Sequence, residues 1–187
     1  MAIDLTKSYS LGNVVFKNYI DLSLEEKKEI LGYRNHFLVR EMMHNKNEIK
    51  LNDHLGFIDK LKIDKQNSYW AVFKKNKLVS SVYLNKIDIT DKTGFWGIFL
   101  NPNYIGTGIG VEIQFEAMKL FFEKFEFKTI FGEVLKINKD SIPIQLKFSF
   151  DIEDQSEKYY SMKLESEQWR NLSTETYKEF RKQILLK

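Results

Sequence analysis

The chain has 187 residues, 43% of them hydrophobic and 29% charged, with 29 basic against 26 acidic side chains and a formal net charge of +3. That length fits one domain, since domains run to roughly 100–200 residues, and a chain of this size buries ~70% of its unfolded surface without staples. The absence of cysteine excludes a disulfide scaffold, a thiolate metal site and a cysteine nucleophile, and acids interleaved with lysines leave no basic stripe for a nucleic-acid backbone.

The three histidines, His36, His44 and His54, lack the HExxH spacing of a helical zinc site, so no metal is expected. Asp4 and Lys7 interrupt the first eleven residues, which therefore do not read as a signal peptide. No run approaches ~18 uncharged apolar residues, so no membrane span is expected and the cytoplasm is the expected compartment.

In chain order, Val14 to Tyr19 reads as a strand. Ser23-Leu24-Glu25-Glu26 is a capping box, in which the Ser hydroxyl and the Glu carboxylate satisfy orphan amides at a helix start. The helix it opens carries Ile30 and Leu31, with Arg34-Asn35 near its end. A second helix is predicted from about Asn52, with Leu55, Ile58 and Leu61 on one face. The period then changes. Tyr69 to Phe73 and Leu78 to Leu84 form a hairpin about a polar lysine-rich turn, and Gly94 to Leu100 is a further strand. Val111 to Glu126 is the clearest helix, with Val111, Phe115, Met118, Phe122 and Phe125 on one face and Glu112, Glu116, Lys119 and Glu123 on the other. Thr129 to Ile137 and Tyr159 to Leu164 read as strands, Ser141 to Phe148 as a short helix, and Ser173 to Leu186 as a last helix. This order predicts an α/β domain of the α+β kind over residues 1–187, closed by a C-terminal helix at 173–187: a mostly antiparallel mixed sheet with helices packed on it.

The richest local signal is Asn103-Tyr104-Ile105-Gly106-Thr107-Gly108-Ile109-Gly110, between a strand and the strong helix. Glycines are unfavourable inside regular elements but suit a turn whose amides face a ligand. The helix start that follows adds free N–H groups and the positive end of a dipole, which together make an anion site for phosphate or pyrophosphate. The Walker pattern fails because Val111-Glu112 stand where lysine and a hydroxyl are required, and the Rossmann pattern fails because Val111 stands where a third glycine is required.

A G-x-G turn opening a helix well inside the chain resembles the acyl-CoA pyrophosphate loop of the GCN5-related N-acetyltransferase (GNAT) family, with Gly108 and Gly110 on the matched glycine positions and Ile105 where Gln or Arg is usual. A later motif adds to the resemblance: Glu133, Val134, Asn138, Ile142, Lys147 and Phe150 keep the family identities. Ser141 replaces Ala, Ser149 replaces Gly, and Gln145 replaces the Tyr that often protonates the departing thiolate. Tyr33-Arg34-Asn35-His36, His54-Leu55-Gly56-Phe57-Ile58 and Gly94 through Pro102 further resemble the amino-sugar N-acetyltransferases of pseudaminic acid biosynthesis, which supply flagellin glycosylation.

The resemblance implies a three-layer fold with helices on both faces of a sheet splayed between the strand ending near Leu100 and the strand carrying Glu133. It implies acetyl-CoA as co-substrate, its arm paired with main-chain groups of Ile98, Phe99 and Leu100. Its pyrophosphate would lie on the amides of Ile105, Gly106, Thr107, Gly108, Ile109 and Gly110, with Asn138 and Ser141 beside the arm. The acceptor amine would attack the thioester directly, with Glu133 as general base and Gln145 donating only a hydrogen bond to the leaving sulfur. Tyr104, Ser141 and Ser149 are alternative proton sources. Arg34, His54, Lys86 and Phe99 are the substrate-side candidates for a UDP-linked 4-amino-dideoxy sugar. For Arg34 the alternative is a helix C-terminal cation; Phe95, Trp96 and Phe99 are candidates to stack the uracil or wall the sugar, although alternating strand aromatics are more often core. A ribosomal-type Nα-acetyltransferase and a non-catalytic acyl-CoA-binding module stand as the other readings, and the tail as a candidate contact for a second subunit in a homodimer.

Overall fold

The computed structural model describes residues 4–172 together with 178, 179 and 182, so the helix expected over 173–187 lies almost wholly outside the described residues. Eight strands form one sheet: β1 (Tyr9–Leu11), β2 (Val14–Asn18), β3 (Ser68–Lys74), β4 (Lys77–Asp88), β5 (Thr93–Leu100), β6 (Thr129–Leu135), β7 (Asp151–Gln155) and β8 (Tyr159–Glu165), in the order β1-β2-β3-β4-β5-β6-β8-β7. All neighbours are antiparallel except β5 and β6. The β3–β4 hairpin turns on Lys75 and Asn76, both at positive φ, the geometry that lets a two-residue turn follow the strand twist.

Alternation along the central strands supplies two apolar faces. Trp70 and Val72 join one core with Val82, Leu84, Trp96 and Ile130, while the intervening Ala71 joins another with Phe99. The second core is covered by α1 (Leu24–Asn35), α2 (Phe37–Arg40) and α3 (Leu51–Leu61), through Ile30, Val39, Ile58 and Leu61. As the sequence predicts, Ser23 and Glu26 exchange hydrogen bonds at the start of α1. The first core is covered by α4 (Ile109–Lys119), a following π-helical turn at Leu120–Lys124, α5 (Ser141–Lys147) and α6 (Ser166–Asn171). The fold is thus three layers, with helices on both faces of a mixed sheet.

Four elements have no counterpart in the sequence reading: β1, α2, α6 and the wholly exposed β7. One expected face is also corrected. Glu112 was assigned to the solvent side of α4, yet it is buried and paired with Lys74 at 2.6 Å. The reason is depth: α4 is covered almost all round, with Ile113, Gln114 and Ala117 buried beside Val111 and Met118.

The feature that shapes the molecule's chemistry is a fork. β5 and β6 pair only over Thr93↔Thr129, Gly94↔Ile130 and Phe95↔Phe131. Beyond Phe95, β5 stays on β4 through Leu100 and β6 stays on β8 through Leu135, so the two separate. The Trp96 indole lies at the fork against Gly132, its Nε1 3.0 Å from where a Cβ would stand, and stacks on Phe150. The diverging strand edges leave main-chain donors and acceptors unpaired, ready for an extended ligand.

Candidate active site

At the top of β5 the chain turns through Pro102–Tyr104 and enters α4 across the glycine segment. Gly106 and Gly108 both sit at φ 80, left-handed backbone that a side chain strains, and Gly108 caps α4 without a side-chain bond. A Cβ on Gly106 would meet nothing within 4 Å, so its surroundings are open, whereas a Cβ on Gly110 would stand 3.2 Å from the Leu100 side chain. The amides of Ile105, Thr107 and Val111 bond to carbonyls within the turn. Those of Gly106, Gly108, Ile109 and Gly110 have no such partner among the described residues. Four free donors at a helix N-terminus form an anion cradle.

Two cavities are present, neither lined by a residue of the glycine segment. A smaller one of about 220 Å³ lies in the fork, lined by Trp96, Ile98, Gly132, Glu133, Asn138, Ser141 and Gln145 among others. A larger one of about 490 Å³ lies on the α1–α3 side, walled by Tyr19, Phe57, Tyr69, Tyr83 and Phe99, with Arg34, Asp53 and His54. Met43, His44, Tyr83 and Asn85 line both, and so mark where the cavities join.

The structure therefore brings Glu133, Gln145, Ile98, Asn138 and Ser141 together in the fork, and Arg34, His54 and Phe99 in the larger cavity. Lys86 stands apart from the other substrate-side candidates: it lines the fork cavity and lies 4.6 Å over the Phe95 ring. Of the alternative hydroxyls, Ser141 alone lines either cavity.

Gln145 is held in place. Its amide exchanges two hydrogen bonds with Gln114 of α4, at 3.0 and 3.2 Å, and both side chains are buried. One N–H of Gln145 remains outside that pair. Glu133 is one-third exposed and bonds the Nε2 of His44 at 3.0 Å, and the His44 ring lies edge-on to Tyr159 at 5.2 Å.

In the larger cavity Arg34 donates to the Asn45 carbonyl at 2.8 Å, while its buried Nη1 has no partner among the described residues. Burial lowers its pKa, as expected for a cation withdrawn from water. Burial likewise lowers that of His54, favouring neutral imidazole, and its Nε2 also lacks a partner. Tyr83 lies flat across Gly97 of β5, where a Cβ would stand 2.2 Å from its ring, and stacks on Tyr69 at 5.0 Å. Its phenol is pushed up to about 12, by burial first and then by Tyr69.

Sequence reasoning missed His44, Tyr83, Asn85 and Gln114. Tyr83 had a signal, since hairpin register sets it opposite Gly97. His44 had none, because it sits in the irregular 41–50 segment whose path only tertiary contacts define.

Comparison with known proteins agrees with this geometry. The chain is 27% identical over 147 residues to the acetyltransferase PseH of Campylobacter jejuni, covering 79% of this chain and 90% of that one. The crystal structure of Campylobacter jejuni PseH in complex with acetyl coenzyme A superposes with a TM-score of 0.67, at 23% identity over 81% of this chain and 98% of that one. Spermidine N-acetyltransferase of Vibrio cholerae, in complex with CoA and spermine, superposes with a TM-score of 0.77 at 14% identity, covering 85% and 99%. The acetyltransferase (GNAT) domain matches residues 24–151, and the forked sheet with its glycine-opened helix belongs with that match: the chain is a member of the GNAT acetyltransferase family.

Proposed function

We propose that this enzyme transfers acetyl from acetyl-CoA to the amine of a nucleotide-linked amino-dideoxy sugar of the pseudaminic acid type. The observation that carries the reading is the junction of two cavities: one in the fork of the sheet and one walled by aromatics around a half-buried arginine. The free amides of Gly106, Gly108, Ile109 and Gly110 suit the diphosphate of the coenzyme. The open edge of β5 from Ile98 through Leu100 suits its pantetheine arm, with Asn138 and Ser141 alongside. In the other cavity, Arg34 suits a sugar-nucleotide diphosphate, its planar fork having an N–H left over. His54 and Phe99 flank the same space.

Bound groups react here chiefly because they are held together, an effect worth up to about 7–11 kcal/mol in ideal cases. Strand-edge N–H groups can stabilise the oxyanion of the tetrahedral intermediate. The hydrogen-bonded pair of Glu133 and His44 supplies the basic function that takes up the amine's proton, and the spare N–H of Gln145 donates to the departing sulfur. A polycationic acceptor is disfavoured, because the larger cavity offers Asp53 as its single carboxylate beside Arg34.

The experiment is acetyl transfer by the purified chain to a panel of UDP-linked amino sugars, N-terminal peptides and spermidine, followed by thiol release and product mass. The expected result is acetylated sugar nucleotide. Acetylation of peptides alone would replace the sugar reading. Thermal stabilisation by acetyl-CoA with no turnover on any amine would leave a binding module.

A further inference from the structure

We infer that His44, not Glu133, is the base that accepts the proton of the acceptor amine, and that Glu133 is its positioning residue. This rests on the acetyl-transfer reading and refines it, by naming the group that meets the amine.

The two cavities meet at four side chains: Met43, His44, Tyr83 and Asn85. With the amine in the larger cavity and the thioester in the smaller, the N–C bond forms at that junction. Met43 and Asn85 have no proton-accepting group of useful basicity. The partly buried Tyr83 phenol keeps its proton at neutral pH, so it donates rather than accepts. The imidazole of His44 is the one junction group that offers a basic ring-nitrogen lone pair. Glu133 lines the fork cavity and not the larger one, so His44 stands between its carboxylate and an incoming amine.

The contacts of His44 fit the role. With the proton on Nε2, the ring donates to Glu133 Oε2 at 3.0 Å, and the edge-on Tyr159 ring braces it. Nδ1 then carries the free lone pair and has no partner among the described residues. The Glu133 carboxylate fixes the tautomer and stabilises the imidazolium once formed. The step balances without a further reagent. An ammonium proton passes to Nδ1, the neutral nitrogen bonds to the acetyl carbon, and the C–S bond breaks with its electron pair on sulfur. The second nitrogen proton goes to the thiolate, giving the free thiol, and the imidazolium returns its proton to water through the more than half-exposed side of the ring.

The groups facing His44 are Glu133 from β6, Tyr159 from β8 and Tyr83 from β4, with Lys86 lining the fork cavity. Arg34, Asp53 and His54 line the other.

The test compares the parent chain with His44→Gln and Glu133→Gln in the pH dependence of kcat/KM and in acetyl-CoA affinity. His44→Gln is expected to lower kcat/KM by about 10²–10⁴-fold, the usual contribution of a general base, and to abolish the rising imidazole limb while coenzyme affinity stays unchanged. Glu133→Gln is expected to keep the limb and to lower kcat/KM by a smaller factor than His44→Gln, because the base remains and loses only the group that orients it. If His44→Gln keeps parent activity and limb while Glu133→Gln loses both, Glu133 acts directly and the inference is overturned. Loss of coenzyme binding in His44→Gln also overturns it, by making the role one of binding. A parent chain inactive on every amine would instead remove the acetyl-transfer reading, an outcome distinguishable from the others.

Discussion

Tyr83 holds its place at the cavity junction because Gly97 has no side chain. The two residues are register partners on β4 and β5, and the phenol ring covers the glycine so closely that a Cβ would fall 2.2 Å from it. Ala at position 97 must therefore push the ring into one cavity or the other. Gly97→Ala is expected to raise the KM for the acceptor amine and to lower kcat by about tenfold or more, since small misplacements at a reacting centre have large effects on rate. Acetyl-CoA affinity, to which the amides of the glycine turn are proposed to contribute most, should change less than the acceptor's KM. Steady-state kinetics with a calorimetric coenzyme titration read both, and equal loss of the two affinities would show a global defect instead. The same pairing explains what the sequence concealed. A Gln at position 145 shows the loss of a proton donor, but not that Gln114 locks it, because that contact spans α4 and α5 through packing alone. Ser149 was more legible: it stands where the family pattern has glycine, and its φ of 65 shows why glycine suits the position.

At the scale of elements, α4 joins the sheet to the anion cradle, and Lys74 ties it down. Glu112 lies in the first turn of α4, close to the free amides, and Lys74 at the end of β3 bonds both its oxygens at 2.6 Å. The pair is largely buried, so removing the lysine takes away a neutralising charge from a buried carboxylate beside the place proposed for a diphosphate. Lys74→Met is expected to destabilise the fold by up to about 3 kcal/mol, the low end for a broken buried pair because Lys74 keeps some exposure. It should also weaken coenzyme binding through like-charge repulsion. Lys74→Met/Glu112→Gln should recover most of both losses; chemical denaturation and calorimetry on the two variants check this. Failure of the double variant to recover either quantity would show that the pair does not couple sheet to cradle. Elements with strong local chemistry were readable: the Ser23 capping box, the Lys75-Asn76 hairpin and the start of α4 all follow from short-range bonds. The burial of Glu112 was not, since helical periodicity separates apolar from charged residues but cannot see a lysine arriving from β3.

Over the whole molecule, the three-layer plan was legible because alternating strands and periodic helices each announce a face to be covered. The fork was not legible from periodicity, since strand pairing is a long-range property; only family resemblance pointed to it. The larger cavity was hidden for the same reason, and it bears on stability as well as on binding. His54 lies in the first turn of α3 at the wall of that cavity, 6% exposed, with its pKa lowered chiefly by burial and opposed by a hydrogen bond to the Lys27 main chain. An unfolded chain takes up a proton at an ordinary histidine near pH 6.5, whereas the folded chain resists it until lower pH. Between those values the unfolded state binds more protons, so stability is fully present above about pH 6.5 and is lost as pH falls toward the folded value. The slope for one such group is at most about 1.4 kcal/mol per pH unit. Denaturation from pH 7.5 to 5.5 should show a falling midpoint in the parent and a flatter profile in His54→Gln, with the carboxylates lowered by their partners, Glu26 and Asp64, contributing their loss in a more acidic range. Parallel profiles for the two proteins would mean that His54 does not resist protonation in the fold. Because the group lies in the acceptor cavity, a bound acceptor that bonds its neutral Nε2 should steepen the parent's profile and leave that of the variant unchanged.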